Sequence, residues 1–295
     1  NGVSAEEAEA WVGENNGVFN MIFQFETNGL WNFSAGGKPD WLAYKRAITR
    51  WQTGLEGRGW NALYFENHDL PRSVSVWGED GRYREKSAKA LATLYFLMKG
   101  TPFIYQGQEL GMTNVRFPSI EDYDDVPCIQ KYWKDRGEGL SHEEAMAPIW
   151  RNGRDNARTP MQWNAGPNAG FTTGTPWLKV NPNHAEINVE EQLGRPDSVF
   201  RYYQKLIRLR KANPALVYGR YGLLLPDHEH VYVYTRTLEE ETFLIAVNLS
   251  GEEQAAELPE ELDMDAAELV LANEDESRVP PPARDLALRP YEARV

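Results

Sequence analysis

Residues 85–105 read EKSAKALATLYFLMKGTPFIY and contain a helix, a stop signal and a strand in that order. Strong helix formers fill the first part, and Gly100 and Pro102 end that pattern. The apolar letters FIY at 103–105 then predict a short strand. Because a second strand-like run, ALYF at 62–65, stands upstream of the helix, the segment predicts two parallel strands joined by a helix.

The sequence upstream of this unit repeats the alternation of helix and strand. SAEEAEAWVGE at 4–14 predicts a short helix in which Ser4 and Glu7 form a capping box. FNMIFQF at 19–25 predicts a strand, and residues 39–55 carry apolar side chains at helical spacing. A closed barrel needs eight such units and about 250 residues. The predicted fold class is therefore α/β, with the C-terminal half of a (β/α)8 TIM barrel.

The sequence downstream loses this alternation. Residues 112–197 are rich in Gly, Pro, Asn and Trp without a clear period, which predicts long loops of the kind that carry function. DSVFRYYQKLIRLRKA at 197–212 returns to an amphipathic helix, and Pro214 follows its end.

The last part of the chain has the pattern of β structure. Strands are predicted at 231–235, 242–249, 267–271 and 286–295. Because almost no helical period remains from residue 215 onward, we expect a small antiparallel β domain there. The predicted domains are residues 1–214, which hold about strands 6–8 of the barrel with the long loops, and residues 215–295, the β domain.

Composition and charge exclude several classes of partner. The 295 residues carry 31 Lys and Arg against 44 Asp and Glu, a formal charge of −13. Because no basic stripe offsets this charge, we expect no nucleic-acid or membrane partner. No apolar run approaches the roughly 20 residues of a membrane span. The one cysteine, Cys128, excludes an internal disulfide framework and predicts a reducing, cytoplasmic location.

A polar cluster follows the strand predicted at 62–65. The segment 64–72 reads YFENHDLPR, and in a β/α barrel the C-terminal ends of the strands form the active-site face. Asp69 could hold substrate hydroxyls or stabilise a cationic transition state, and His68 could donate to a hydroxyl. The residues alone leave open a structural cluster in which Arg72 pairs with Asp69.

Two further clusters carry candidate binding residues. YQGQELGM at 105–112 contains Glu109 in a backbone that two glycines bend sharply, so Glu109 either faces a cleft or holds the turn. GRDNARTPMQW at 153–163 contains Arg154 and Arg158, and arginine suits fixed contacts with carboxylates. These arginines either orient groups that bind a ligand or pin a long loop.

Metal and phosphate sites find little support in the sequence. IEDYDD at 120–125 clusters acidic residues without the spacing of an EF-hand loop, so we expect a solvated acidic face there. The chain has neither a glycine-rich phosphate loop nor a Gly-x-Ser-x-Gly motif. We therefore predict no metal ligand and no cofactor.

Several motifs resemble those of one enzyme family. FENHDLPR at 65–72 resembles the fourth motif of glycoside hydrolase family 13, the α-amylase superfamily. YQGQELGMTNVRF, IEDYDDV, GRDNARTPMQW, NAGFTTGTPW and VNPNHAEINV then follow in the order found in its oligo-1,6-glucosidase subgroup. The resemblance implies a TIM barrel with a C-terminal β-sandwich. It also implies retaining hydrolysis of terminal α-glucosidic bonds, α-1,6 or α-1,4, in small oligosaccharides.

The resemblance also implies roles for individual residues. Asp69 matches the third catalytic carboxylate of the family, which stabilises the transition state, and His68 matches a histidine of the same subsite. Arg154 matches the arginine that grips the terminal glucose, and Arg158 supports it. Phe25 resembles an aromatic residue on the aglycone side.

Arg72 and Glu109 match further substrate-binding positions of the family less closely. Gln108 stands where many relatives have glutamate.

Other parts of the family pattern precede Asn1. The nucleophile aspartate, the acid/base glutamate, the first-strand aspartate that partners the arginine at Arg154, and the calcium loop of some members all belong to the upstream pattern. We therefore expect the isolated chain to be inactive and its full-length parent to be the enzyme.

The same scaffold supports other activities. Transglucosylases, sucrose isomerases and trehalose-6-phosphate hydrolases share these motifs, and some members are non-catalytic subunits of transporters. Because His68, Asp69 and Arg154 are all present, the sequence favours an enzyme over a non-catalytic member.

Overall fold

The computed structural model describes residues 2–32 and 37–295 of the chain. The α-helices are α1 Ala5–Val12, α2 Trp41–Gly54, α3 Ser73–Val76, α4 Arg84–Phe96, α5 Val126–Gly137, α6 His142–Asn152, α7 Val189–Gly194, α8 Val199–Ala212 and α9 Pro214–Tyr218. The strands are β1 Ile22–Phe23, β2 Asn61–Leu63, β3 Thr101–Pro102, β4 Arg220–Leu224, β5 Val231–Leu238, β6 Glu241–Asn248, β7 Gln254–Glu257, β8 Asp285–Leu288 and β9 Ala293–Arg294. Asn1, where the family resemblance begins, lies outside the described residues. Within the two described ranges, no helix combines the length and apolar character that crossing a bilayer requires.

Contacts divide the chain into two compact units. Unit 1 consists of Asn1–Tyr64, Trp77–Phe103 and Tyr202–Val295, and unit 2 consists of Phe65–Val76 and Ile104–Arg201. Unit 1 thus contains every strand named above, and unit 2 contains the two stretches of chain that follow β2 and β3. This grouping reflects contacts alone, and the predicted domain division after residue 214 stays a prediction.

The first sheet of unit 1 is parallel, with the strand order β1-β2-β3. Phe23 pairs with Ala62, and Ala62 pairs in turn with Thr101. Helix α2 connects β1 to β2, and α3 and α4 connect β2 to β3. The predicted parallel strand–helix–strand arrangement is therefore confirmed.

The position predicted for the third strand is wrong. Pairing begins at Thr101 and not at residue 103, because the chain meets β2 directly after Gly100. A Cβ atom at Gly100 would lie 2.5 Å from the carbonyl oxygen of Asn61, and φ there is +144°, so glycine permits this close approach. Phe103 still donates its N–H to the Leu63 carbonyl at 2.8 Å, and the pairing ends there.

Helix α1 begins at the predicted capping box. The Glu7 N–H donates to Ser4 Oγ at 3.2 Å, and the Ser4 N–H donates to Glu7 Oε2 at 3.0 Å. The apolar side of α1 packs against α2 in a buried cluster of Ala5, Ala8, Val12, Trp51 and Leu55.

The C-terminal part of unit 1 is antiparallel, as predicted. Strands β4, β5, β6 and β9 form one sheet in that order, and β7 and β8 form a second, two-stranded sheet. The strand predicted at 267–271 is wrong, because no strand is assigned to these described residues; Val270 and Leu271 bond to Val295, and an isolated bridge joins Ala272 to Arg294. Strands β4 and β7 lie outside the predicted segments, since their short mixed sequences show little apolar alternation.

Two buried arginines of unit 1 hold the C-terminal ends of α4 and α9. Arg236 donates to the carbonyl oxygens of Leu97, Leu216 and Gly219 at 2.6, 3.1 and 2.8 Å. Arg210 donates to the carbonyl oxygens of Phe96, Met98, Gly100 and Leu216. Helix C-termini leave carbonyl groups unpaired and carry partial negative charge. Burial lowers the pKa of both guanidinium groups to about 10, so both remain cations at neutral pH.

Unit 2 contains helices that the sequence did not reveal. The expectation that residues 112–197 form loops is wrong for α5 and α6, which pack together around a core of Val115, Phe117, Ile120, Tyr123, Tyr132, Ala145, Met146 and Ile149. Pro148 lies inside α6 and obscures its period. A capping box formed by Ser141 and Glu144 is the sequence signal that could have located the start of α6.

We expect Arg236→Met in the full-length protein to lower the free energy of unfolding by about 3 kcal/mol or more, because several buried carbonyl groups lose their donor. Urea denaturation measures this change. The control is Arg220→Met on neighbouring β4, where the side chain is exposed, and there we expect a change within about 0.5 kcal/mol. Equal midpoints for the two variants would contradict the role of Arg236.

Candidate functional site

The carboxylate of Asp155 joins two loops of unit 2. Asp155 is fully buried in a short 3-10 turn, Arg154–Ala157, and its Oδ2 atom accepts the backbone N–H groups of Asp124 and Asp125 at 2.8 and 2.9 Å. Its Oδ1 atom lies 3.5 Å from Arg158 Nη1, an ion pair rather than a hydrogen bond. Asp155 therefore fixes the turn that carries both arginines against the loop that carries Asp125.

Asp125 orients Arg154. The Nε and Nη2 atoms of Arg154 donate to Asp125 Oδ1, and the Arg154 backbone N–H donates to Asp125 Oδ2 at 3.2 Å. Burial acts to raise the pKa of Asp125, but the hydrogen bonds from Arg154 and Cys128 outweigh burial and hold it below its ordinary value. The pKa of Arg154 is raised, chiefly by its hydrogen bond to Asp125. The pair is therefore charged at neutral pH.

Cys128 lies on the other side of Asp125. Its Sγ atom donates to Asp125 Oδ2 at 3.1 Å. Burial, together with this hydrogen bond, raises the pKa of the Cys128 thiol to about 12. The thiol is therefore protonated at neutral pH, where it supports Asp125.

Both arginines of the turn converge on Asp69. Arg158 Nη2 lies 2.9 Å and Arg154 Nη1 lies 3.4 Å from Asp69 Oδ1. Arg158 also donates from Nε to the carbonyl oxygen of His68 at 2.8 Å. Asp69 itself sits in a tight turn, because its N–H donates to Asn67 Oδ1 at 2.8 Å. The structure thus brings together four predicted site residues: His68, Asp69, Arg154 and Arg158.

One part of this cluster is buried and the other is exposed to solvent. The side chain of Asp69 is 50% exposed and that of His68 is 73% exposed, whereas Asp125 is 2% exposed. The second oxygen of Asp69, Oδ2, faces His68 Nε2 at 3.3 Å. An exposed carboxylate whose direction is fixed by two cations can accept hydrogen bonds from ligand hydroxyls or stabilise a developing positive charge.

Arg72 lies in the interior of unit 2 and pairs with Glu66. The two side chains are each 1% exposed, and Arg72 Nη1 lies 3.1 Å from Glu66 Oε2 and 2.7 Å from the Gln106 carbonyl oxygen. Ser73 donates to the other Glu66 oxygen from both N and Oγ. The alternative in which Arg72 pairs with Asp69 is therefore wrong. The sequence analysis missed Glu66, although its place within FENHDLPR marked it as a polar residue beside a strand.

Glu109 lies in the predicted sharp turn. Gly107 and Gly111 have φ angles of +88° and +65°, which confirms the bend. At Gly107 a Cβ atom would lie 2.3 Å from Met112 Sδ, so the turn requires glycine. Burial raises the pKa of Glu109, and its Oε2 atom is buried without a hydrogen-bond partner among the residues that the structure describes.

Phe25 belongs to unit 1, unlike the other candidate residues. It follows β1, is 42% exposed, and its ring lies 6.3 Å from that of Tyr64.

The acidic run at 120–125 is organised by specific contacts. Asp122 pairs with Lys179, Asp124 accepts a hydrogen bond from Trp177 at 2.7 Å, and Asp125 holds Arg154. The prediction of a solvated acidic face is therefore wrong for Asp125, which is buried. Among the described residues, no group of three or more His, Cys, Asp or Glu side chains is arranged to hold a metal ion.

Two family descriptions match the chain. Residues 1–219 match "Alpha amylase, catalytic domain", and residues 221–295 match "Maltogenic Amylase, C-terminal domain". The chain is 52% identical over 295 residues to the probable oligo-1,6-glucosidase 3 of Bacillus subtilis strain 168. The alignment covers 100% of this chain and 53% of that protein.

Solved structures share the fold. The trehalose-6-phosphate hydrolase TreA of Bacillus licheniformis matches with a TM-score of 0.93 and 38% identity, covering 99% of this chain and 53% of that chain. The isomaltulose synthase PalI of Klebsiella sp. LX3 matches with a TM-score of 0.88 and 37% identity, covering 99% of this chain and 53% of that chain. These matches confirm the predicted fold class, and the chain spans about half the length of the relatives it matches.

We expect Asp125→Asn to accelerate alkylation of Cys128 by about tenfold or more at pH 8. The substitution removes a negative charge beside the thiol and so lowers its pKa. Iodoacetamide labelling, read at the Cys128 peptide by mass spectrometry, measures the rate. Asp122→Asn is the matched control, because Asp122 pairs with Lys179. An Asp125→Asn rate equal to that of wild type would contradict the contact between Asp125 and Cys128.

Proposed function

The chain belongs to the α-amylase family, and on that premise we propose that its full-length parent is a retaining, exo-acting α-glucosidase. The proposed substrates are the terminal α-glucosidic bonds of short oligosaccharides. Because the chain spans 53% of the oligo-1,6-glucosidase relative, the activity is proposed for the whole protein.

The observation that supports this proposal is the convergence of two arginines on Asp69. Cleavage of a glycosidic bond passes through a transition state with oxocarbenium character, in which positive charge develops on the sugar ring. A half-exposed carboxylate with a fixed direction can stabilise that charge and accept hydrogen bonds from the ring hydroxyls. Because Arg154 and Arg158 fix only one oxygen of Asp69, its other oxygen remains directed toward His68 and a ligand.

The neighbouring residues have separate roles in this proposal. Arg154, which is 36% exposed, donates to a hydroxyl of the terminal glucose while Asp125 holds its position. Arg158 holds the His68–Asp69 turn, and His68 donates to a glucose hydroxyl. For Phe25, an aglycone-side role in the parent protein is proposed from the motif resemblance alone.

Arg72 and Glu109 require revised roles. Because the guanidinium of Arg72 is buried on Glu66 and backbone carbonyls, we propose that it supports the site and does not touch the sugar. Glu109, which has one buried oxygen without a hydrogen-bond partner among the described residues, remains a proposed binding residue.

Hydrolysis of short α-gluco-oligosaccharides is proposed ahead of trehalose-6-phosphate hydrolysis and sucrose isomerisation. The relative named as an oligo-1,6-glucosidase is 52% identical to this chain, whereas the trehalose-6-phosphate hydrolase and the isomaltulose synthase are 38% and 37% identical. Chromatography of the products formed from isomaltose, sucrose and trehalose 6-phosphate distinguishes the three activities. Free glucose from isomaltose supports the proposal, and conversion of sucrose into an isomer supports the isomaltulose synthase alternative.

We also propose that the protein acts in the cytoplasm and that its partner is a small oligosaccharide. The single cysteine and the charge of −13 support these proposals. The domain boundary that we propose lies after residue 214, between α8 and the antiparallel strands.

For Asp69→Asn in the full-length protein, we expect kcat to fall by about three orders of magnitude or more, because the charge that stabilises the transition state is lost. Hydrolysis of p-nitrophenyl α-glucoside measures it, and circular dichroism checks the fold. The control is Asp285→Asn, an exposed carboxylate on β8, for which we expect wild-type turnover. Near-normal activity of the Asp69→Asn variant would contradict the assignment.

For Arg154→Ala we expect kcat/KM on the same substrate to fall by about a hundredfold, because a charged hydrogen bond to the terminal glucose is lost. Arg116→Ala, at an exposed arginine of the same unit, is the control and should leave kcat/KM unchanged. Equal kinetic constants for wild type and the Arg154→Ala variant would exclude Arg154 from substrate contact.

A further inference from the structure

Trp177 presents an indole ring to solvent while its polar atom is already bonded. The residue is 66% exposed, and its Nε1–H donates to Asp124 Oδ2 at 2.7 Å. Since the one hydrogen-bonding group of the ring is satisfied by protein, the exposed surface of the ring is apolar. The hydrogen bond also fixes one edge of the ring.

The anchor of Trp177 is adjacent in the chain to the anchor of Arg154. Asp124 and Asp125 both donate their backbone N–H groups to the same buried oxygen of Asp155. The side chain of Asp124 holds Trp177, and the side chain of Asp125 holds Arg154. A single buried carboxylate thus sets the position of the exposed ring and of the arginine that contacts Asp69.

The loop that carries Trp177 is also held on both sides of the ring. After the ring, Lys179 pairs with Asp122. Before it, Asn168 Nδ2 donates to the carbonyl oxygens of Thr172 and Gly174 at 3.1 and 2.9 Å. A ring with few remaining freedoms loses little conformational entropy when a ligand stacks on it.

We propose that Trp177 is a stacking platform for the third glucose ring of a substrate, counted toward the reducing end from the terminal unit held by Asp69 and Arg154. Pyranose rings have an apolar C–H face, and a fixed indole offers a flat apolar partner for it. The ligand class is an α-glucan oligosaccharide of three or more units, because a third unit extends beyond the two that flank the cleaved bond. This inference rests on the function proposed above and adds a preference for chain length.

The test compares Trp177→Ala, Trp177→Phe and Trp133→Ala in the full-length protein. Trp133 on α5 is the matched control, since it is 60% exposed and its ring lies against Tyr132. For each variant, kcat/KM is measured on isomaltotriose, maltotriose and p-nitrophenyl α-glucoside. We expect Trp177→Ala to lower the ratio of trisaccharide to p-nitrophenyl glucoside efficiency by about five- to tenfold. Trp177→Phe should lower it less, and Trp133→Ala should leave it unchanged.

Calorimetric titration separates this proposal from the proposed function. Isomaltotriose and maltotriose are titrated into Asp69→Asn protein with and without Trp177→Ala, and we expect a five- to tenfold loss of affinity for at least one trisaccharide. If the parent protein hydrolyses no α-glucoside, the proposed function fails, but this titration still tests the platform. Unchanged trisaccharide affinity overturns the platform even in an active enzyme. Equal losses of efficiency on all three substrates, shared by Trp177→Phe, assign Trp177 a purely structural role and also overturn it.

Discussion

The buried carboxylate of Asp155 is the contact on which the site of unit 2 depends. It lies between the arginines of GRDNAR and accepts two successive backbone N–H groups from the loop 120–125. Without these contacts, the buried N–H group of Asp125 and the partly buried N–H group of Asp124 would lose their acceptor, and the loop would no longer be tied to the turn 154–157. Through this one group, Asp125 meets Arg154, and both arginines of the turn reach Asp69. The direction of the exposed carboxylate thus follows from a hydrogen bond made in the interior.

The two units neutralise their buried cations in different ways. In unit 1, Arg210 and Arg236 are held by backbone carbonyl groups at helix C-termini, which stabilise charge through dipoles. In unit 2, Arg72 is held by buried Glu66 and by backbone carbonyl groups, whereas Arg154 and Arg158 pair with Asp125 and Asp155 and both reach the half-exposed carboxylate of Asp69. The carbonyl contacts fix the packing of helices, whereas the carboxylate contacts end at a charged group that a ligand can reach.

The sequence identified the site residues Asp69, Arg154 and Arg158 but not the buried carboxylates Asp125 and Glu66 that hold arginines in place. FENHDLPR and GRDNARTPMQW identified Asp69, Arg154 and Arg158, because polar residues beside a strand end and paired arginines are local signals. Asp125 was missed because its partner lies 29 residues away in the chain, and only the folded loops bring the two together. Glu66 was missed for a related reason, since the choice between Glu66 and Asp69 as the partner of Arg72 depends on which side chain points inward. Helix α6 escaped detection because Pro148 interrupts its period, whereas α1 and α4 were found from uninterrupted helix formers and, in α1, a capping box.

The most direct test of this account is a crystal structure of the full-length protein with glucose or isomaltose bound. The account predicts a terminal glucose with hydroxyl oxygens within about 3.2 Å of the Asp69 carboxylate and of the Arg154 guanidinium. It further predicts that Asp125 still holds Arg154 and that Asp155 still accepts both backbone N–H groups. A sugar bound away from Asp69 and Arg154, with the cluster closed on itself, would contradict the assignment of this site.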